Sequence, residues 1–170
     1  AIVDPKKGLP QDIFLFISRQ TAMVNVDLLV RDKIKGILLS WRDTEFSGSG
    51  WHIPGGIIRF KESLEDRIQQ VALTEFGKKV EYDPEPVVIN QIEKTHNTRG
   101  HFISFLYNCQ IADEFVPENI NLSNSDNGYL CWHKDCPDNL INVHDVLYRK
   151  IIEKTPSEKL NVRIPYQKIN

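Results

Sequence analysis

The chain has 170 residues and a formal net charge of −2, enough for one domain with a substantial core and too little basic charge to hold nucleic acid or an anionic membrane by its overall field. Its composition, 41% hydrophobic and 26% charged, is that of a globular protein. No apolar run approaches the roughly 20 residues of a membrane span, the segment AIVDPKKGLP lacks a signal-peptide pattern, and Cys109, Cys131 and Cys136 form an odd set without a CxxC pair. These features point to a reducing, cytoplasmic compartment, with neither a disulfide framework nor a zinc site, and Cys109 and Cys131 as small core residues.

In chain order, PQDIFLFISRQT (10–21) reads as a short helix, with Pro10 and Asp12 suited to a first turn. MVNVDLLVRD alternates, with Val24, Val26, Leu28 and Val30 on one face and Asn25 and Asp27 on the other. KGILLSWR (35–42) is a second strand that places Leu38, Ser40 and Arg42 together, and DTEFSGSG is a loop by composition. WHIPGG is a strand that breaks at Pro54-Gly55-Gly56, where the glycines are expected to turn a carbonyl inward. KESLEDRIQQVALTEFG is a helix with Ser63 as N-cap and Gly77 as its stop. Strands PVVINQIEK and HFISFLYNCQI follow, then the polar loop NLSNSDNG, a short strand YLCWHK and a closing helix DNLINVHDVLYRKII. That helix carries Leu140, Val143, Leu147 and Ile151 as a core stripe. The expected organisation is a single domain over 1–153, including the N-terminal helix, with 154–170 as a tail that packs on the surface or on a partner. Strands mixed with two or three helices imply an α/β fold with a mixed sheet covered on both sides.

One residue does not suit its place. On a helical wheel Glu75 lands between Ile68 and Val71, so a carboxylate is aimed along the apolar stripe in the last turn before Gly77. Burying an ionised carboxylate without a partner costs several kcal/mol, and the helix dipole adds roughly 0.3–1 kcal/mol. A buried arginine, emergence into solvent, or a bound cation would each answer this. The inward carbonyl expected at Gly55 supplies a second hard oxygen, which suits Mg²⁺ or Mn²⁺.

GGIIRFKESLEDRIQQVALTEFG (55–77) resembles the signature of the Nudix hydrolases, which cut nucleoside diphosphates linked to another group. Gly56, Glu62, Glu75 and Gly77 fall at the family's spacing, while Gln70 and Val71 stand where it has Arg-Glu, and Thr74 replaces the first of its two adjacent glutamates. This loss resembles the GDP-mannose mannosyl hydrolase branch, and GLPQDIFLFISRQTAMVNVDLLVRD and ILLSWRDTEFSGSGWHIPGG resemble that branch up to near residue 110.

The resemblance implies a Nudix-type α/β/α sandwich with a mixed β-sheet. It implies a Mg²⁺-dependent (or Mn²⁺-dependent) hydrolase of a nucleoside diphosphate sugar, GDP-mannose-like, acting as a homodimer through the N-terminal helix, with no nucleic acid and no membrane partner. Gly55 and Glu75 would hold the metal. Asp27 would face the sugar, or else be a solvent-facing strand residue, and Arg42 would engage the diphosphate or be plain surface. Glu62 would brace the loop before the helix. Ile57 stands where the branch has an arginine, for which Arg59 is the candidate substitute, and Gln70 replaces another. Asn127 stands at the branch's catalytic histidine, beside Asp126 at its metal-binding amide. Asparagine is no base near neutral pH, so Asp126, His101 and His96 become the candidate bases, with His101 also readable as a packed strand-edge residue. The alternative to an enzyme is a non-catalytic module of the same fold that binds a nucleotide or nucleotide sugar.

Overall fold

The computed structural model describes residues 4–95, 98–154 and 166–169. After a single 3-10 turn at Pro5–Lys7, α1 (Gln11–Ser18) leads into β1 (Met23–Asp32), then β2 (Gly36–Thr44), β3 (Gly48–His52) and β4 (Gly55–Ile57). The long helix α2 (Leu64–Phe76) follows, then β5 (Glu81–Tyr82), β6 (Val88–Lys94), β7 (His101–Gln110), β8 (Leu130–His133), α3 (Asn142–Ile152) and β9 (Tyr166–Ile169).

The strands form one mixed sheet in the order β3–β2–β1–β7–β6–β9, with β4 also beside β1, β5 beside β7 and β8 beside β2. β1 lies parallel to β7 and antiparallel to β2 and β4. Both faces of β1 are covered, which is why it reads as a near-continuous apolar run. Val26, Leu28 and Val30 pack with Leu38, Ile68, Val71, Ala72 and Phe76 under α2. Leu29 packs on the other face with Leu39, Leu106, Tyr148 and Ile152 of the α3 side.

Local chemistry sets α2 as its sequence foretells. Ser63 Oγ accepts from Asp66 N at 3.0 Å, and Gly77 ends the helix in the left-handed region, φ 68°, donating to Leu73 O.

Three sequence expectations change. The stretch DTEFSGSG is mostly strand, because β2 and β3 stay in register through Asp43–Ser49 and Thr44–Gly48, leaving only residues 45–47 as the turn. Gly55 and Gly56 lie in a short strand, not in a turn of unusual backbone angles. A side chain on Gly55 would come within 2.1 Å of Asp27 Oδ1, and one on Gly56 within 2.7 Å of Val71 on α2, so these glycines permit close approach on both faces. The closing helix buries His144, Tyr148 and Ile152, rolled by about one residue from the expected stripe, while Val143 and Leu147 line a cavity. Tyr166–Ile169, within the expected tail, pairs in parallel with β6 at the edge of the sheet.

Candidate functional site

A cavity of about 790 Å³ opens on the α1–α3 side of the sheet, within the range of small-molecule sites. Its walls are largely apolar, with Phe14, Ile17, Met23, Phe102 and Leu147 among them, and its floor carries Asn25, Asp27, Ser104 and His144. A second cavity of about 410 Å³ includes Ser40, Glu75, Asn127 and Gly128. The two share Arg42, Thr44, Phe46, His52 and Arg99.

Asp27 is the centre of the floor. It is 5% exposed, which removes the solvent-facing reading; α3 covers the face that alternation assigned to water. Ser104 Oγ and Tyr148 OH each donate to its Oδ2 at 2.5 Å, and Asn25 Nδ2 donates to Oδ1 at 3.1 Å. A carboxylate offers about four acceptor positions, so one at Oδ1 remains for a ligand hydroxyl. Burial raises the Asp27 carboxyl above its ordinary range, opposed by Ser104, Tyr148 and the charge of Arg42.

Arg42 stands between two acids. Burial lowers its pKa, while the charges of Glu75 and Asp27 raise it. Leu38, Ser40 and Arg42 do share a face of β2: Leu38 sits in the core, and the other two line the smaller cavity. Glu75 is half-buried on α2. Burial raises its carboxyl, with Arg42 opposing. Among the described residues no group donates a hydrogen bond to Glu75 and no cation pairs with it within 4.0 Å.

Two histidines that the sequence reading passed over complete the wall. His52 is 2% exposed. Its Nδ1 lies 2.7 Å from Ser40 O, so Nδ1 carries the proton and Nε2 is a bare acceptor, which has no partner. His144 Nδ1 accepts from Ile53 N at 3.0 Å, leaving Nε2–H as a donor. Burial and the charge of Arg42 push His52 well below 6.5, and burial, Arg42 and Lys94 push His144 down to about 3. Both are neutral imidazoles at neutral pH. The available signal was His144 and Tyr148 one helical turn apart, two hydrogen-bonding side chains on one stripe.

The other expected residues are scattered. Arg59 is exposed at the larger cavity's rim, its Nη1 donating to Lys6 O. Glu62 does brace the loop: its carboxylate accepts from Arg59 N, Arg67 Nε and Arg67 Nη2 at 2.8, 2.8 and 2.6 Å. Asp126 closes a surface turn, its carboxylate accepting from Ser123 N and Oγ, each 2.7 Å away, and it lines neither cavity. His101 also lines neither; it sits on β7 with Nε2 3.3 Å from Gln91 Nε2. His96 lies outside the described residues. Asn127 does reach the smaller cavity, where its amide is tied to Asp43 N and O.

No family model matches the chain. A curated relative, the low-salt glycan biosynthesis protein Agl8 of Haloferax volcanii, is 26% identical over 114 residues, covering 65% of this chain and 72% of the relative. Among solved structures, a Nudix hydrolase from Nitrosomonas europaea superposes with a TM-score of 0.62 at 19% identity, over 88% of this chain and 81% of that one. An ADP-ribose pyrophosphatase from Streptococcus suis gives 0.55 at 16% identity, over 86% and 100%. The chain has the Nudix fold. Its mixed sheet between α2 and α3 is the expected α/β/α sandwich.

Resemblance to the Nudix hydrolases implies a divalent ion, for which Glu75 is, among the described residues, the one carboxylate in the smaller cavity. Among the described residues no three His, Cys, Asp or Glu side chains group as metal ligands. The half-buried carboxylate of Glu75, which among the described residues has the charge of Arg42 near it but no ion pair within 4.0 Å, is nevertheless a hard oxygen donor. Mg²⁺ keeps several of its own waters and is held by one or two carboxylates together with substrate phosphates, so Glu75 would be one ligand of such an ion.

Proposed function

We propose that this protein is a member of the Nudix hydrolases that hydrolyses a nucleoside diphosphate sugar with the help of Mg²⁺ or Mn²⁺, GDP-mannose-like as the sequence resemblance suggests. The observation that carries the reading is one shared wall, Arg42 with His52, joining the polar floor at Asp27 to the carboxylate of Glu75. The relative named for glycan biosynthesis and the structural neighbour named for ADP-ribose agree with such a substrate.

In this reading the Arg42 guanidinium donates paired hydrogen bonds to diphosphate oxygens. The free Oδ1 position of Asp27 and the Nε2–H of His144 hold sugar hydroxyls, and the Asn25–Ser104–Tyr148 network keeps Asp27 in one rotamer. Arg59 at the rim meets the outer part of the ligand. Glu75 in the smaller cavity would hold the ion, which supplies positive charge that stabilises the departing phosphate oxygen, while Gly55 lines the larger cavity.

The test is turnover of a panel of nucleotide sugars, with and without Mg²⁺ or Mn²⁺. Metal-dependent release of sugar or sugar phosphate is expected, and isotopically labelled water shows by its place in the products whether carbon or phosphorus is attacked. Folded protein that turns over no member with metal present overturns the hydrolase. One observation favours a second reading, a binding module without catalysis: Asn127 holds the place of the branch's base, and Asp126 and His101 stand apart from the cavities. Binding without product, unaltered by Glu75→Gln, would be its mark. The proposal extends to a homodimer through α1, which exposes Ile13 and Phe16.

A further inference from the structure

The wall shared by the two cavities carries two arginines. Arg42 comes from β2 and Arg99 from the connection between β6 and β7, and both line both cavities. Arg99 is held in place by aromatic faces: its guanidinium carbon lies 4.8 Å from the ring centroid of Phe14 on α1 and 5.2 Å from that of Phe46 in the β2–β3 turn. Lys94, at the end of β6, donates to Phe46 O at 3.4 Å and lines the larger cavity as well. Three separate parts of the chain thus meet around one guanidinium.

Burial lowers the pKa of Arg99, and the positive charge of Arg42 lowers it further. Two guanidiniums that feel one another in a half-buried wall repel, and Glu75 and Asp27 offset this only on the Arg42 side. A ligand with two adjacent anionic groups relieves it, each phosphate taking one planar fork. The signature, meanwhile, is poor in acids: Gln70, Val71 and Thr74 occupy three of its charged positions. Positive charge from side chains therefore stands where less can come from bound metal.

We propose that Arg99 and Arg42 form a diphosphate clamp that holds its ligand without a metal ion. The inference deepens the nucleotide-sugar reading and rests on it for the ligand's class.

Calorimetric titration with inorganic pyrophosphate in excess EDTA, compared with inorganic phosphate, tests the clamp apart from catalysis. The wild-type protein is expected to bind pyrophosphate more tightly than phosphate. Arg99→Gln should weaken pyrophosphate by about tenfold or more, the loss of one charge-assisted pair, and Arg99→Lys should fall between. Glu75→Gln should bind no less tightly, because it removes a negative charge near Arg42. If Arg99→Gln does not fold, Arg99→Met, which keeps an adaptable stem against Phe14 and Phe46, decides instead. Wild-type protein that fails to bind in EDTA, or an Arg99 variant that binds as well as wild type, overturns the clamp. Metal-dependent turnover with no metal-free binding removes the clamp alone, whereas Arg99-dependent binding without turnover removes the hydrolase and leaves the clamp.

Discussion

At the scale of single residues, Glu75 shows how far periodicity reaches. Its place on the apolar stripe follows from a 100° step along α2, a local property that the sequence holds in full. The folded chain raises its carboxyl above the ordinary 4.5 by burial, against the pull of Arg42. The folded protein therefore takes up this proton more readily than the unfolded chain. Stability from this group falls as pH rises from 4.5 through the raised value, and is lowest once Glu75 is ionised. Glu75→Gln should accordingly raise the melting temperature at neutral pH and flatten its pH dependence in that window, with roughly 0.3–1 kcal/mol from the helix dipole alone. The same change should abolish any Mg²⁺-induced rise in melting temperature and any metal-dependent turnover. Melting curves from pH 4 to 8, with and without Mg²⁺, check this; a variant less stable than wild type at neutral pH would contradict it. Asp27 was harder to place, since one strand cannot show what covers its second face. Ser104 and Tyr148, far away in sequence, decide that it is buried.

At the scale of elements, α2 and the loop before it behave as one unit. Burial on its own would raise the Glu62 carboxyl, but the hydrogen bonds and charge of Arg67, with Arg59 N, hold it below its ordinary range. This pair is largely buried, with side-chain exposures of 14% for Glu62 and 8% for Arg67. Removing one partner leaves the other charged and unpaired, so Glu62→Ala should cost on the order of 3 kcal/mol. Urea unfolding measures it, and a loss within experimental error would show that the loop stands without the brace. The sign with pH is opposite to that of Glu75. The Glu62 contribution is present above 4.5 and is lost as pH falls through its lowered value. The cap residues of α2 were legible because they act within one turn, but the roll of α3 was not. Tyr148 reaches Asp27 and His144 reaches Ile53 N, and these polar anchors turn Val143 and Leu147 towards the cavity.

At the scale of the whole molecule, α1 is the element whose surroundings matter most. Its inner residues Phe14 and Ile17 wall the cavity, while Ile13 and Phe16 on its outer side are 42% and 62% exposed. A homodimer would bury these two side chains. Sedimentation at micromolar concentration should give twice the chain mass, and Phe16→Glu should shift it to that of one chain; a wild-type monomer removes the dimer. The chain by itself determined what depends on near neighbours: the helix of residues 64–76 with its caps, the strand alternation, the exclusion of an apolar span, and the signature glycines and glutamates. Only the tertiary structure decided which faces are covered and what meets across the sheet. It buried Asp27, made neutral wall histidines of His52 and His144, brought Arg99 to Arg42, and left Asp126 and His101 outside. The reason is physical. Capping and periodicity act over a few residues of backbone, whereas burial, charge pairing and cavity walls arise between segments whose separation in sequence carries no distance in space.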